Sequence, residues 1–184
     1  MLRLLYAIIV GLVGAGVVHI AILLLLPSYA ERDAWTLISE AGPEYALVQV
    51  NRSQQAASVL VDADPLFEVG ACRFDLSQGA VRLSSPERVP FWSISLFDRR
   101  GLNIYSLNDR TASDGVLDII IATPVQLIEM RNSATDAFAG SVIVEADATE
   151  TIAIIRSFVP DKSWGPIVQA NLAATRCELA QDQQ

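Results

Sequence analysis

The chain has 184 residues, of which 52% are hydrophobic and only 18% charged. This composition excludes intrinsic disorder, and the length suits one domain with an appendage. The formal net charge is -8 and no run of basic residues occurs, which argues against a nucleic-acid partner. One His and two Cys are too few for a His-rich metal site, a Cys cluster or a standard Ser-His-Asp triad in the globular part. We therefore expect no metal and no other cofactor.

The most apolar segment lies at the N-terminus, where residues 4–26 form a run of 23 without charge. As a helix this run is about 34 Å long, enough to cross a hydrocarbon core of about 30 Å. The apolar region of a secretory signal is shorter, about 7–15 residues. The length favours a retained membrane anchor over residues 1–27. Ser28 and Ala30 are small residues at the positions that a signal peptidase reads, so cleavage after Ala30 remains an alternative.

The charges on either side of this run predict its orientation. Arg3 precedes the run, whereas all 21 acidic residues and all but one of the 13 basic residues follow Pro27, giving that part a net charge of -9. The positive-inside rule then places the N-terminus in the cytoplasm. Because 12 of the 13 basic residues are Arg, a bacterial source is favoured. We expect a single-pass protein of a bacterial inner membrane, with the lipid bilayer as a partner and the following domain in the periplasm.

Small side chains recur every four residues along the apolar run, at Ala7, Gly11 and Ala15, and His19 continues the row. This spacing lets two helices approach closely, and a polar side chain in lipid usually has a partner. One interpretation is a surface for a second copy or for a partner protein. The alternative is that Gly and Ala are simply common in membrane spans, with His19 reaching interfacial water.

After the anchor, Ser28 and Glu31 have the spacing of a capping box, which predicts a juxtamembrane helix over 28–43 that ends at Gly42-Pro43. Residues 44–184 form the remaining domain. Residues 44–50 are typical of a strand and 51–58 of a loop or short helix. Residues 125–131 fit a strand or a helix. A closing helix is predicted from Ser163 to about Leu179, with Pro166 in its first turn.

Most of this domain alternates apolar and polar residues with a period of two, between short turn signals. Trp92, Ile94 and Leu96, for example, alternate with serines. Seven or eight short strands of this kind predict an all-β, sandwich-like or jelly-roll-like domain. The only cysteines, Cys72 and Cys177, are expected to form a disulfide in an oxidising compartment. Two unrelated buried thiols are the alternative.

The densest polar segment, residues 98–111, follows an apolar strand and straddles a predicted hairpin. One interpretation is a ligand site in which an Arg holds an anion and amide or phenol groups bind hydroxyls. The alternative is loop structure, with an Asp109–Arg110 ion pair and Asn108 or Asp98 stabilising turns. The candidate ligand-binding residues are Asp98, Arg99, Tyr105, Asn108, Asp109 and Arg110.

Paired carboxylates would allow hydrolysis if two of them lay some 5–9 Å apart. Asp64, Asp98 and Asp109 are the candidates, although Asp64-Pro65 reads more simply as a turn. Acidic residues are frequent in the chain, and spacing alone does not pair them. A hydrolase acting on a glycan or another polar substrate through Asp98 and Asp109 is therefore the alternative function.

Four stretches together resemble a known family: Asp64-Pro65-Leu66-Phe67, ACRFDLSQGAVRL (71–83), PFWSISLFDRRGLNIYSLNDRTA (90–112) and SFVPDKSW (157–164). They are similar to bacterial membrane proteins of the domain-of-unknown-function 1254 family, and residues 90–112 also resemble its sister family, 1214. The single span fits short alphaproteobacterial members. The resemblance implies an all-β envelope domain and no reaction. Longer members join both domains, so a partner protein carrying the sister domain is implied here. The sequence as a whole favours a non-enzymatic binding or structural module.

Overall fold

The computed structural model of the chain describes residues 2–29, 34–50, 64, 66–112, 114–132, 138 and 140–180. The helices in these ranges are α1 (Leu2–Tyr29), α2 (Ala34–Ala41), α3 (Pro124–Asn132) and α4 (Gly165–Ala174). The strands there are β1 (Leu47–Gln49), β2 (Phe67–Asp75), β3 (Val81–Ser84), β4 (Trp92–Asp98), β5 (Asn103–Asn108), β6 (Asp118–Ala122), β7 (Val142–Glu145), β8 (Glu150–Phe158) and β9 (Arg176–Leu179).

The strands form two sheets. The larger sheet has the order β1-β2-β8-β4-β5, with every neighbouring pair antiparallel. The smaller sheet has the order β7-β6-β3-β9, in which β6 and β7 run parallel. The alternation that predicted β4 is visible directly, because its side chains are buried and half-buried in turn. The predicted mainly-β domain behind an N-terminal apolar helix is confirmed.

The inner faces of the two sheets meet in one hydrophobic core. Residues such as Phe74, Trp92 and Ile155 come from the larger sheet, and Leu83 and Ile121 from the smaller. Burying a large apolar side chain contributes about 1.5–3 kcal/mol, so this shared core holds the sheets together. On the outer face of the smaller sheet, α3 covers a second cluster through Leu127.

The ambiguous segment 125–131 is helical. Thr123 and Gln126 form a reciprocal capping box, in which each side chain accepts a hydrogen bond from the other residue's backbone N–H, at 3.4 and 2.9 Å. Pro124 occupies the first position of α3, where it has no hydrogen bond to lose. The sequence Thr-Pro-x-Gln at 123–126 therefore marks the start of helix α3 and favours a helix over a strand for this segment.

The predicted closing helix is too long, because α4 ends at Ala174. Thr175 adopts an extended conformation, and β9 then pairs with β3, with Cys177 opposite Leu83. Cys177 and Leu179 both contact the core. A continued helix would also satisfy the backbone, so the burial of Cys177 and Leu179 against the core favours the strand.

The predicted start of the juxtamembrane helix at Ser28 is wrong, since α1 continues to Tyr29 and the second helix is described from Ala34. It ends before Gly42, as predicted. Residues 30–33, and with them the alternative cleavage position after Ala30, lie outside the described residues. The same holds for residues 51–58.

Helix α2 packs on the larger sheet through Trp35. The guanidinium carbons of Arg73 and Arg99 each lie 5.2 Å from the centre of the Trp35 ring. Arg73 also forms an ion pair of 2.9 Å with Glu44, just after α2. Such cation–π contacts contribute on the order of 0.5–1 kcal/mol each at exposed sites. The juxtamembrane helix is thereby attached to the sheet near the end of β4.

Candidate functional site

The predicted ligand residues lie along one hairpin. Strands β4 and β5 pair antiparallel, with Ser93 opposite Asn108 and Leu96 opposite Tyr105. Strand β5 is the edge of the larger sheet, and no described strand lies beside the outer side of the hairpin. Because the polar residues occupy the tip, the edge strand and the far end, they do not converge on one point.

At the tip, Asp98 holds the turn. Its Oδ1 accepts hydrogen bonds from the backbone N–H groups of Arg100 at 2.9 Å and Leu102 at 2.8 Å, and its Oδ2 lies 3.2 Å from Arg100 Nε. Gly101 has φ 79°, a conformation that favours glycine. The Leu102 amide, together with Arg100, lowers the pKa of Asp98. Asp98 is therefore an ionised acceptor that shapes the turn, whereas a general acid needs a raised pKa.

At the far end, Asn108 stabilises a second turn. Its Oδ1 accepts a hydrogen bond of 3.1 Å from the Arg110 N–H, and its carbonyl accepts one of 2.9 Å from Thr111. Asp109 and Arg110, both of which the structure describes, do not form the expected ion pair. Asp109 Oδ1 is shielded from solvent and has no hydrogen-bond partner in the described part of the chain. This end presents the exposed Arg110 side chain, whereas the buried Oδ1 of Asp109 is not open to a ligand from solvent.

Asp98 and Asp109 do not form a catalytic pair. Asp109 donates its backbone N–H to Trp92, at the start of β4, whereas Asp98 ends that strand. Six residue steps along β4 separate the two positions by about 20 Å. A glycosidase pair needs carboxylates roughly 5–9 Å apart. The alternative of a hydrolase that uses Asp98 with Asp109 is therefore wrong.

Asp64 serves a turn instead of a catalytic site. Its Oδ1 accepts a hydrogen bond of 2.9 Å from the Leu66 N–H just before β2. Strands β2 and β5 are three strand spacings apart in the larger sheet, about 14 Å. Asp64 is thus too far from Asp109 to complete a pair across the sheet.

The other two candidates have separate environments. Arg99 stacks over Trp35 of α2, so it belongs to the contact that attaches the juxtamembrane helix. Tyr105 lies on the edge strand with 42% of its surface exposed. Next to Tyr105, Ser106 Oγ contacts Ser95 Oγ at 2.9 Å and joins the strands of the hairpin. Arg99 and Arg110 therefore point to different ends of the hairpin and cannot hold one anion together.

A cavity of about 450 Å³ adjoins the hairpin tip. Its lining combines the tip with the loop between β7 and β8 and consists of Asp98, Arg100, Ile104, Glu145, Asp147 and Ala148. Glu145 and Asp147 were not among the predicted site residues, because they are distant in the chain from the hairpin and no local motif marks them. In the described ranges, no group of three His, Cys, Asp or Glu side chains is arranged to hold a metal ion.

The remaining candidates are the two cysteines and the apolar helix. Cys72 in the larger sheet and Cys177 in the smaller sheet form a disulfide, with Cα atoms 6.6 Å apart. The bridge ties the sheets together across the core. Ala7, Gly11, Ala15 and His19 all lie in α1, whose side chains are exposed from Leu2 to Leu25.

These features define the class of protein: a disulfide-bridged domain of two β-sheets that follows an exposed, apolar N-terminal helix. The chain belongs to the family described as protein of unknown function DUF1254, whose model matches residues 48–178. The family resemblance inferred from the sequence stretches between 62 and 164 is thereby confirmed.

Two solved structures are similar to the chain. A Vibrio parahaemolyticus protein has 10% sequence identity and a TM-score of 0.53, with 79% of this chain and 32% of that chain covered. An uncharacterised Burkholderia cenocepacia protein has 14% identity and a TM-score of 0.48, with 86% and 46% covered. The chain thus spans about a third of the Vibrio protein, with which it shares the fold. No curated protein matches the chain.

Proposed function

We propose that the protein is a non-enzymatic binding module of the bacterial cell envelope, anchored in the inner membrane by residues 1–27. A juxtamembrane segment, 28–43, then links the anchor to a jelly-roll-like β-sandwich over 44–184, on the periplasmic side. The observation that carries this proposal is helix α1. Among the described residues it alone is long and apolar enough to cross a membrane, and its side chains are exposed from Leu2 to Leu25.

The orientation rests on charge. Arg3 lies before the apolar run, and the part after Pro27 carries a net charge of -9. A cytoplasmic N-terminus follows from the positive-inside rule. The Cys72–Cys177 disulfide supports the same side for the β domain, because such bridges persist in oxidising compartments.

Within this module, the far end of the β4–β5 hairpin is the proposed binding surface. It combines the exposed Arg110 with an edge strand, on which the exposed Tyr105 lies nearer to the tip. Edge strands accept a further strand, and an Arg beside amide groups suits carboxylates or hydroxyls. A partner protein or a polar glycan is the proposed ligand.

The second part of this proposal is that a partner protein carries the sister domain, of the 1214 type, as the resemblance to short alphaproteobacterial members implies. The similarity of residues 90–112 to both domain types supports it. Purification of the full chain from solubilised membranes tests this part of the proposal. We expect a protein with the sister domain to co-purify with it.

Retention of the anchor is tested by extraction and mass measurement. We expect the full chain to remain in the membrane fraction after alkaline washing, because α1 inserts as a span. We also expect an intact mass that includes residues 1–30. A soluble product lacking these residues, cleaved after Ala30, would overturn the anchoring proposal.

The row of small side chains in α1 predicts association of spans. In the described part of the chain, no atom beyond the local helix backbone lies within 4 Å of a Cβ added at Gly11, so Gly11→Ile meets no clash there. We expect Gly11→Ile to weaken association strongly, because a branched side chain separates two helix backbones. His19→Ala should have a small effect, since an interhelical hydrogen bond contributes on the order of 0.6 kcal/mol. A membrane association assay on the full chain measures both.

Gly16→Ile is the matched control for this prediction. A Cβ at Gly16 also meets no atom within 4 Å, and the residue lies about 140° around the helix from Gly11. Leu12→Ile is a second control that leaves the small residues in place. Equal association of the Gly11, Gly16 and Leu12 variants would show that the row reflects composition alone.

A further inference from the structure

We propose that the tip of the β4–β5 hairpin, residues 99–102, rests in the interfacial region of the bilayer, with the Leu102 side chain entering the lipid. This inference depends on the proposed anchoring by α1. It assigns a lipid contact to the β domain itself, and it divides the hairpin into a membrane end and a ligand end.

The position of the tip follows from chain geometry. Tyr29 ends α1 and Ala34 begins α2, so five Cα–Cα steps keep these residues within about 18 Å of each other. Trp35, in the first turn of α2, lies 5.2 Å from the guanidinium carbon of Arg99. Leu102 is three residues further along the turn, with its Cα within about 11 Å of that of Arg99. Helix α2, which begins shortly after the membrane exit of the chain, therefore contacts the tip end of the hairpin.

The chemistry of the tip suits the boundary between water and lipid. The Leu102 side chain is 64% exposed although it is apolar, and the Arg100 side chain is 84% exposed. Arg places its aliphatic part along apolar surface and binds phosphate through its guanidinium group. The Asp98 hydrogen bonds to the Arg100 and Leu102 amides fix the turn, so Leu102 is presented by a rigid loop.

Carboxylates near the tip affect which lipid headgroups it can contact. Glu145 and Asp147 line the cavity beside the tip, and the part of the chain after Pro27 has a net charge of -9. Anionic headgroups would repel these groups, so we expect the contact to be strongest on a bilayer of zwitterionic lipid such as phosphatidylcholine. Thr111, about 20 Å away at the other end of the hairpin, should remain in water.

The test uses the full chain in phosphatidylcholine vesicles that contain a lipid with a nitroxide-labelled headgroup. Leu102→Cys and Thr111→Cys are each labelled with a fluorophore without reduction, so that the Cys72–Cys177 bridge stays intact. Both positions are exposed, and unchanged thermal unfolding verifies that each variant folds. We expect the nitroxide lipid to quench the Leu102 label several-fold more than the Thr111 label.

Equal quenching at the two positions in vesicles that carry the protein would overturn this inference and leave the anchoring proposal intact. Failure of the full chain to float with the vesicles would refute the anchoring proposal, and the lipid contact with it. A Leu102→Asp variant labelled at Arg100→Cys provides a second readout. We expect its quenching to fall to the Thr111 level, because the apolar group that enters the lipid is gone.

Discussion

Replacing Cys72 and Cys177 together by Ala is expected to lower the free energy of unfolding by about 2–5 kcal/mol, the usual cost of losing a native disulfide in a small secreted domain. The bridge spans 105 residues of sequence and joins the larger sheet to the smaller one. Its removal enlarges the unfolded ensemble and also frees β9, which lies at the edge of the smaller sheet. Urea unfolding of the wild type and the double variant measures the loss.

The control is the wild-type chain after reduction, which should unfold at nearly the same urea concentration as the double variant. Unreduced wild-type protein should take up no alkylating reagent at either cysteine. An unchanged unfolding midpoint in the double variant, or two alkylated thiols without reduction, would contradict the prediction.

Trp92→Ala is expected to cost about 3–5 kcal/mol, the range for removing a large aromatic side chain from a core. Trp92 is 2% exposed, and its indole N–H donates a hydrogen bond of 2.9 Å to the Gly115 carbonyl. The substitution leaves both a cavity between the sheets and an unsatisfied buried carbonyl. A fall in the urea midpoint with an unchanged slope is the expected result.

Two further variants separate the effect of the lost hydrogen bond from that of the lost apolar volume, and the core from the exposed edge. Trp92→Phe keeps much of the apolar volume but loses the indole donor, so its cost should be smaller, about 1–3 kcal/mol. Tyr105→Ala removes an aromatic side chain from the exposed edge strand and should change stability by less than about 0.5 kcal/mol, apart from any lost strand propensity. Similar losses for Trp92→Ala and Tyr105→Ala would contradict the shared core.

The elements with strict alternation were the most predictable from sequence. Strand β4 is a clear case, since Trp92, Ile94 and Leu96 face the core and the serines between them face outward. The β9 segment was harder, because Arg176–Leu179 is short and follows directly on a helix. Its pairing with β3 is decided by burial of Cys177 against distant residues, which local periodicity does not report.

The candidate site, too, could be predicted only in part from the sequence. The turn-forming roles of Asp98 and Asn108 were anticipated as one alternative, because short polar side chains bond to the backbone two residues on. Asp98 and Asp109 do not form a pair because Asp98 lies at the tip of the hairpin and Asp109 at its open end, one full strand length away. Glu145 and Asp147 reach the tip through the arrangement of β7 and β8, which depends on tertiary packing.

The central claim, that the β domain is anchored on the periplasmic side, is tested most directly by reporter fusions after Gln184. The account predicts that a reporter active only in the periplasm works at this position and that a reporter active only in the cytoplasm does not. Both fusions should be made in the full chain, and their amounts compared by immunoblot. Activity of the cytoplasmic reporter, with a silent periplasmic reporter, would contradict the account.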